Sequence, residues 1–288
     1  MMFEKILVPM DFSRHAGRLV ECVGDIPGVK EVVLLSVVSR SPITRVWDPV
    51  SELNQAEERL LAMKGAITVP GINVKVRVVS VIGGEVASAI SRVADEEKVS
   101  LIAMGARGRS RIQSALLGSV SRNVLRFGDT HLLVMRYRML DDGEMQMHCS
   151  HLFSRILFPT DFSQPAEAAL SFLKSLPGIG ELVLLNVVST GETDEEIDAN
   201  VASAMNKMDE VVSDLMQSGV AVTSKVVVGH PVEEIRSVAE EEDVSVIAMS
   251  SQGAVAIKKG RIGSTAYDVA NSAKRPVLVL RRSEIAMY

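Results

Sequence analysis

Glycine and serine residues at a fixed spacing are the first feature of the chain that could do chemistry. The pattern Gly105-x2-Gly108-x9-Gly118-Ser119 follows the apolar run Leu101–Met104 and leads into a segment of helical character. Free N–H groups and the positive dipole end of a helix N-terminus favour an anion, and glycines let the backbone approach it closely. The pattern therefore predicts a strand, an anion-binding loop and a helix, in that order.

The chain carries this pattern twice. It returns as Ser250-x2-Gly253-x9-Gly263-Ser264, an offset of 253 − 108 = 145 residues. A second motif, Pro-x-Asp-Phe-Ser, holds Asp11 and Asp161 at an offset of 161 − 11 = 150 residues. Two copies this long predict two domains rather than a solenoid of short repeats. The expected boundaries are a first domain at 1–138, a linker at 139–152 and a second domain at 153–288.

Composition narrows the class of protein. Hydrophobic residues make up 47% of the chain and charged residues 23%, which is typical of a soluble globular protein. A net charge of −5 argues against nucleic-acid binding. No signal peptide is recognisable, and no apolar run approaches the ~20 residues of a membrane helix. The two cysteines, Cys22 and Cys149, are not at equivalent repeat positions, which excludes a duplicated disulfide framework and favours the cytoplasm.

Apolar runs alternate with helical patterns in each half, which predicts a parallel α/β sheet. The segment after the first glycine loop carries Val120, Val124 and Phe127 at helical spacing, and residues 190–200 are expected to form an acidic loop. The predicted strands are Lys5–Pro9, Glu31–Val38, Val74–Val81, Val99–Met104 and Leu132–Arg136, then Arg155–Pro159, Glu181–Val188, Ser224–Val228, Val244–Met249 and Val277–Leu280.

Asp11 and Asp161 follow the first strand of each half, where ligands bind in open α/β sheets. Such a carboxylate could accept a hydrogen bond from a base or ribose, or it could cap the next helix.

The glycine loops are basic, and their cations could either bind phosphate or simply be solvated. These cations are Arg107, Arg109 and Arg111 in the first loop and Lys258, Lys259 and Arg261 in the second. The segment His148-Cys149-Ser150-His151 lacks partner ligands at a useful spacing, so no metal site is predicted there.

Together these motifs resemble a tandem universal stress protein of the ATP-binding branch, over nearly the whole chain outside the linker. The resemblance implies two Rossmann-like domains, each with a five-stranded parallel sheet of order 3-2-1-4-5. It implies a nucleotide site with the nucleoside near the first-strand aspartate and the phosphates over the glycine loop. Carried to this sequence, that site comprises Pro9, Met10, Asp11, Val37, Met104, Gly105, Arg107, Gly108, Gly118, Ser119, Val120 and Ser121.

The second repeat departs from the pattern, because Ser250 replaces the first glycine and Ala266 stands where Ser121 has a hydroxyl. A weaker second site is therefore expected there. Its residues would be Pro159, Thr160, Asp161, Val187, Met249, Ser250, Gly253, Gly263, Ser264 and Thr265.

The resemblance implies a stress-response regulator that binds ATP or AMP, with Mg²⁺ held through the phosphates. It also implies an internal pseudo-dimer through the fifth strand of each repeat, with a further homodimer and an unidentified protein partner. Three alternatives remain open: a slow ATPase or phosphotransferase, a nucleotide-free dimerising scaffold, and a phosphoacceptor receiver domain. A receiver domain would need an acidic cluster beside Asp11 and a lysine after the fifth strand, and this sequence has neither.

Overall fold

Strands and helices alternate along both halves of the protein. The computed structural model describes residues 3–40, 49–106, 116–139, 145–146, 151–189, 193–254 and 262–281. In the first half the elements are β1 Lys5–Pro9, α1 Arg14–Glu21, β2 Glu31–Arg40, α2 Pro49–Ala66, β3 Asn73–Ile82, α3 Val86–Glu97, β4 Leu101–Gly105, α4 Ser119–Phe127 and β5 His131–Met135. A short antiparallel pair, β6 Arg138–Met139 and β7 Met145–Gln146, follows.

The second half repeats the pattern. Its elements are β8 Arg155–Pro159, α5 Gln164–Lys174, β9 Glu181–Val188, α6 Asp194–Gln217, β10 Val222–Val228, α7 Pro231–Glu241, β11 Val246–Ser250, α8 Ser264–Ser272 and β12 Val277–Leu280. The predicted strands are all present, with ends that differ by one or two residues. For example, β10 begins at Val222 rather than Ser224, and β11 begins at Val246 rather than Val244.

Ten of the strands form one sheet, in the order β10-β9-β8-β11-β12-β5-β4-β1-β2-β3. Each repeat contributes five parallel strands in the order 3-2-1-4-5, so the predicted fold class is confirmed. The two halves meet where β12 pairs antiparallel with β5, with Val277 opposite Val134 and Leu278 opposite Leu133.

The core has two layers because successive strand residues point to opposite faces of the sheet. Ile6 and Val8 of β1 pack with apolar residues of α1, α2, α5 and α6 on one face. Leu7, between them, packs with residues of α3, α4, α7 and α8 on the other. Both faces are covered, which is why the strands are nearly continuous apolar runs.

One sequence expectation was wrong. Residues 194–200 belong to α6 rather than to an acidic loop, because Thr193 caps the helix and accepts a hydrogen bond from the Glu196 N–H. The acidic residues of that segment occupy the first helical turn, where the helix dipole stabilises negative charge. The helix predicted after the first glycine loop is present as α4, in which Val124 is buried and Phe127, at its end, is 66% exposed.

Arginines join the two halves next to the β5–β12 seam. Arg136, just after β5, donates from Nη2 to the carbonyls of Ala270 at 2.7 Å and Asn271 at 3.0 Å, in the last turn of α8. Arg281, just after β12, donates from Nη2 to the Leu125 carbonyl of α4. Each repeat thus places a cation at the C-terminal end of a helix of the other repeat, where the dipole favours it.

His131 lies buried at the seam. Its ring packs against Phe3 and Phe172 at centroid distances of 5.9 Å and 4.8 Å, and its Nδ1 accepts the Arg281 N–H at 2.8 Å. The Nε2 atom has no hydrogen-bond partner among the described residues. Burial, with a smaller contribution from the charge of Arg281, lowers the pKa of His131 to about 3, so the ring is neutral near pH 7.

A cluster of charged side chains around Glu97 lies at the amino ends of the strands of the first repeat, at the edge of the sheet opposite the carboxyl ends. Glu97, at the end of α3, binds Lys5 at 3.0 Å, Lys75 at 2.7 Å and Arg77 at 2.7 Å. The hydrogen bond from Lys75 and the charge of Lys5 lower the pKa of Glu97 to about 2, although burial opposes the shift. Glu242 has the corresponding place in the second repeat, where Arg155 and Lys225 bind it.

Cys22 is fully buried at the end of α1 and is disulfide-bonded. The other cysteine of the chain, Cys149, lies outside the described residues. A disulfide runs against the interpretation of the cysteines as typical of a reducing compartment. Of the helices in the described ranges, none is both long and apolar enough to cross a membrane.

Candidate functional site

The turn after β1 projects an aspartate and a phenylalanine at the carboxyl end of the sheet. Asp11 accepts the Ser13 N–H at 2.9 Å, and Ser13 in turn caps α1 by accepting the Ala16 N–H. Between them, Phe12 adopts the left-handed backbone region with φ of 59°. Phe162 repeats this conformation with φ of 56°. A non-glycine residue there is uncommon and persists only where the surroundings require it, so the turn is a built feature of both repeats.

The N-terminus of α4 is open, in contrast to that of α1. Gly118 is the N-cap, with φ −63° and ψ 160°, and no side chain accepts a hydrogen bond from the first turn. The Gly118 N–H itself donates to the Ala106 carbonyl at 2.8 Å, which fixes the returning loop against the end of β4. The following N–H groups of Ser119 and Val120 are therefore oriented for an anion in front of the helix.

Ser121 ties this helix to the sheet. Its side chain is buried, and the hydroxyl donates to the Gly105 carbonyl at 2.9 Å. The sequence interpretation gave Ser121 to the phosphate side of the site. In the structure this hydrogen bond holds α4 against the end of β4, and Ser121 also lines the cavity, so its role towards phosphate stays a prediction.

One cavity of about 770 Å³ opens at this edge of the first repeat. That volume lies in the range usual for small-molecule sites. Ten of the twelve residues predicted for the first site line it: Pro9, Met10, Asp11, Val37, Met104, Gly105, Gly118, Ser119, Val120 and Ser121. The remaining two, Arg107 and Gly108, lie outside the described residues, as do the loop cations Arg109, Arg111, Lys258, Lys259 and Arg261.

Helix α2 supplies a wall of this cavity that sequence reasoning missed. Glu52, Gln55, Ala56 and Arg59 line the cavity, and Arg59 places its guanidinium carbon 3.8 Å from the centroid of the Phe12 ring. The residues are spaced i, i+3, i+4 and i+7, so they share one helix face. The residues of this face belong to neither the glycine motif nor the aspartate motif. In the sequence they look like the polar residues of an ordinary solvent-exposed helix surface, so nothing marked them as part of a site.

The second repeat forms a smaller cavity of about 370 Å³. All ten residues predicted for the second site line it: Pro159, Thr160, Asp161, Val187, Met249, Ser250, Gly253, Gly263, Ser264 and Thr265.

Asp161 lies against the glycine loop in that second cavity. It accepts the Ala254 N–H at 2.8 Å, and a Cβ on Gly253 would lie only 2.5 Å from its Oδ2 atom. A side chain at 253 would therefore force the Asp161 carboxylate to move away from the loop. The sequence interpretation had explained this glycine only by the approach of the loop to a bound anion.

Ser250 and Ala266 change the junction of strand and helix in the second repeat. The Ser250 hydroxyl accepts the Gln252 N–H at 3.2 Å and so stabilises its own turn. Ala266 is buried at the position of Ser121 and has no hydroxyl to reach the end of β11. Gly263 still leaves the start of α8 without a side-chain cap, so the anion-oriented helix end is retained while its attachment differs.

Of the His148-Cys149-Ser150-His151 segment, the first three residues lie outside the described ranges, and His151 is not among the residues that line either cavity. Within those ranges no cluster of three or more histidine, cysteine, aspartate or glutamate side chains is arranged to hold a metal ion.

Comparison with known protein families gives two matches to the model of the universal stress protein family, over residues 2–136 and 152–281. The chain belongs to the universal stress protein family. The recognition from the sequence motifs is thereby confirmed, and each match spans one set of five parallel strands.

Individual relatives agree with this assignment to the universal stress proteins. The universal stress protein MJ0577 of Methanocaldococcus jannaschii is 32% identical over 158 residues, which cover 46% of this chain and 98% of that protein. A universal stress protein structure from Archaeoglobus fulgidus aligns with a TM-score of 0.71 at 27% identity, covering 98% of this chain and 97% of the other. A functionally unknown protein, PA1789 from Pseudomonas aeruginosa, shares the fold at 17% identity, with a TM-score of 0.66 and coverage of 99% and 95%. Both solved structures therefore align with nearly the whole chain rather than with one repeat.

Proposed function

We propose that the protein is a stress-response regulator that binds an adenine nucleotide, ATP or AMP, in the cavity of its first repeat. The observation that supports this most strongly is the convergence of the two motifs on one cavity of about 770 Å³. The strand-end aspartate and the uncapped N-terminus of α4 lie on its lining, so one ligand can meet a carboxylate acceptor and an anion site at once. A nucleotide has both of the complementary groups.

In this proposal the residues divide between the two ends of the nucleotide. Asp11 accepts a hydrogen bond from the base or ribose, and the backbone around Pro9, Met10 and Val37 encloses the nucleoside. The N–H groups at the start of α4 bind the phosphates, with Arg107 and Gly108 of the loop adding to them. Mg²⁺ would bind through phosphate oxygens and water, as is usual for this ion, without a dedicated protein cage.

The second repeat is proposed as the weaker site. Its cavity has about half the volume of the first, and Ser250 and Ala266 change the junction of β11 with α8. Less room for a ligand and the loss of the Ser121-type hydroxyl contact are both expected to weaken binding there. Nucleotide occupancy of the first repeat is thus the proposed signal, read by an unidentified protein partner.

The two repeats are proposed to act as an internal pseudo-dimer, with domains at 1–138 and 153–288 joined by the 139–152 linker. The pairing of β5 with β12 and the exchanged arginine contacts support this arrangement. A cytoplasmic location remains a prediction.

The experiment is calorimetry on the full-length chain, preceded by mass spectrometry of small molecules released from the purified protein. We expect an adenine nucleotide to be released or, after its removal, ATP and AMP to bind with one dominant site per chain. The same titrations with GTP are the control for base selectivity. Absence of binding by ATP and by AMP would overturn the proposal in favour of a nucleotide-free scaffold.

The enzyme alternative is tested by a single-turnover assay with labelled ATP and Mg²⁺. A fast ATPase needs a group that positions or deprotonates the attacking water in line with the γ-phosphate. The described lining of the first cavity offers only Asp11 and Glu52 as carboxylates and contains no histidine or lysine. We expect turnover far below about one per second, whereas faster phosphate release would establish an enzyme.

A further inference from the structure

The face of α2 that lines the first cavity carries a cation, Arg59, which stacks on the ring of Phe12. The Arg59 guanidinium carbon lies 3.8 Å from the Phe12 ring centroid, which is within the distance of a strong cation–π contact. Phe12 itself is fixed by the left-handed turn between Asp11 and Ser13. The ring therefore holds the guanidinium at the cavity wall and limits the side-chain freedom that a bound ligand would otherwise have to remove.

Arg59 has no carboxylate partner within the described ranges of the chain. The ion pairs there engage other arginines and lysines, and no hydrogen bond from its guanidinium to a described residue is present. A guanidinium presents five N–H donors, and stacking on a ring uses none of them. Because Arg59 also lines the cavity, its donors are within reach of an anionic ligand bound there.

The second repeat provides a matched comparison. At an offset of 207 − 59 = 148 residues, Lys207 of α6 lies over Phe162 at 5.6 Å. The same offset pairs the buried Ala56 and Leu60 with the buried Ala204 and Met208, so the two helices present corresponding faces. Nevertheless, α6 contributes no described residue to the lining of the second cavity. The helix wall is thus a property of the first repeat alone.

We propose that Arg59 is a ligand-contacting residue of the first cavity and binds the phosphate groups of its nucleotide, so that α2 makes the site selective for the more highly charged ligands. This inference rests on the proposed nucleotide-binding function and deepens it. The helix end of α4 and the guanidinium of Arg59 would then hold the phosphates from two sides. A planar fork suits phosphate oxygens better than a single ammonium does.

The test is calorimetry on the full-length chain with adenosine, AMP and ATP, using wild type, Arg59→Gln, Arg59→Lys and the matched control Lys207→Gln. Arg59→Gln is expected to weaken ATP binding about tenfold, in line with loss of one charge-assisted contact. AMP should lose less and adenosine nothing, while Arg59→Lys should keep part of the ATP affinity. Lys207→Gln should leave all three affinities unchanged at the dominant site.

Two results separate this inference from the proposed function. If wild type binds nucleotide but Arg59→Gln binds ATP equally well, or loses adenosine as much as ATP, the role of Arg59 is overturned and the nucleotide site stands. If wild type binds none of the three ligands, both proposals fall together. Arg59 is exposed on the helix, so the variants are expected to fold, and circular dichroism melts of each variant verify this.

Discussion

The two cavities of this protein are formed by corresponding strands and helices of the two repeats, and they differ in the residues that line them. Both lie where an aspartate after the first strand faces an uncapped helix beyond a glycine loop. The first has about 770 Å³ and a polar wall from α2, whereas the second has about 370 Å³ and no lining residue from α6 within the described ranges. Duplication therefore preserved the uncapped helix start, and the side chains that line each cavity decide how much room a ligand has.

The largest expected difference follows from blocking each helix N-terminus in turn. Gly118 and Gly263 have extended N-cap dihedrals that any residue adopts, so Gly118→Val and Gly263→Val should both fold. A Cβ on Gly263 meets nothing closer than 3.6 Å, which is ordinary contact. Gly118→Val should reduce ATP affinity by at least about a hundredfold, because two charge-assisted bonds of about 1.5–3 kcal/mol each are obstructed. Gly263→Val should leave the dominant affinity intact in the same calorimetric titration.

Equal losses in the two valine variants would contradict the comparison and show that both cavities bind nucleotide alike. A larger loss of ATP affinity in Gly263→Val than in Gly118→Val would mean that the second cavity is the dominant site.

The next effect concerns stability at the far end of each sheet. Glu97 is 5% exposed and holds three cations, whereas Glu242 is 19% exposed and binds two. Glu97→Gln should lower the free energy of unfolding by about 2 kcal/mol at pH 7, less than for a fully buried pair because its partners are partly solvated. Glu242→Gln should cost less. Denaturant unfolding of both variants measures the difference.

The same glutamate gives a pH test. Because the folded-state pKa of Glu97 is depressed to about 2, its contribution is complete above 4.5 and is lost as the pH falls from 4.5 towards 2. Glu97→Gln and wild type should therefore converge in stability over that interval. A constant gap down to the lowest pH would mean that the cluster contributes nothing electrostatic.

His131 breaks the symmetry of the seam, since Pro276 has the corresponding position in the other repeat. The unfolded chain takes up a proton near pH 6.5, but the buried ring does so only near pH 3. Stability should therefore fall as the pH drops below 6.5, by up to about 1.4 kcal/mol per pH unit. His131→Gln should show a flatter profile between pH 6.5 and 5, measured by urea unfolding. A slope equal to that of wild type would show that the ring titrates normally.

The smallest effect is a gain in the second repeat. Ser250→Gly together with Ala266→Ser, in a Gly118→Val background that silences the first cavity, should raise nucleotide affinity about threefold. The new hydroxyl would fix α8 against β11 as Ser121 fixes α4, but the α2-type wall would still be missing. Calorimetry against the Gly118→Val parent reads the gain. No gain would place the whole difference between the repeats in the helix wall and in the smaller volume of the second cavity.

The sequence predicted the parts of this protein that a repeated motif or a strong periodicity encodes. The ten strands, the strand order and the glycine loop at a helix start were predictable because each depends on local pattern or on the family resemblance. The α2 wall was not, because Arg59 meets Phe12 across 59 − 12 = 47 residues and only tertiary packing brings them together. The contact of Asp161 with Ala254, across 93 residues, was missed for the same reason.

The antiparallel pairing of β5 with β12 has a consequence for how the protein responds to its own abundance. A dimer of separate subunits comes apart on dilution, and its stability depends on protomer concentration. Here both partners of the seam are segments of one chain, so their pairing is intramolecular and does not depend on protein concentration. The ratio of one large cavity to one small cavity is then fixed at every expression level. Each molecule therefore presents the same pair of cavities, whether the protein is scarce or abundant.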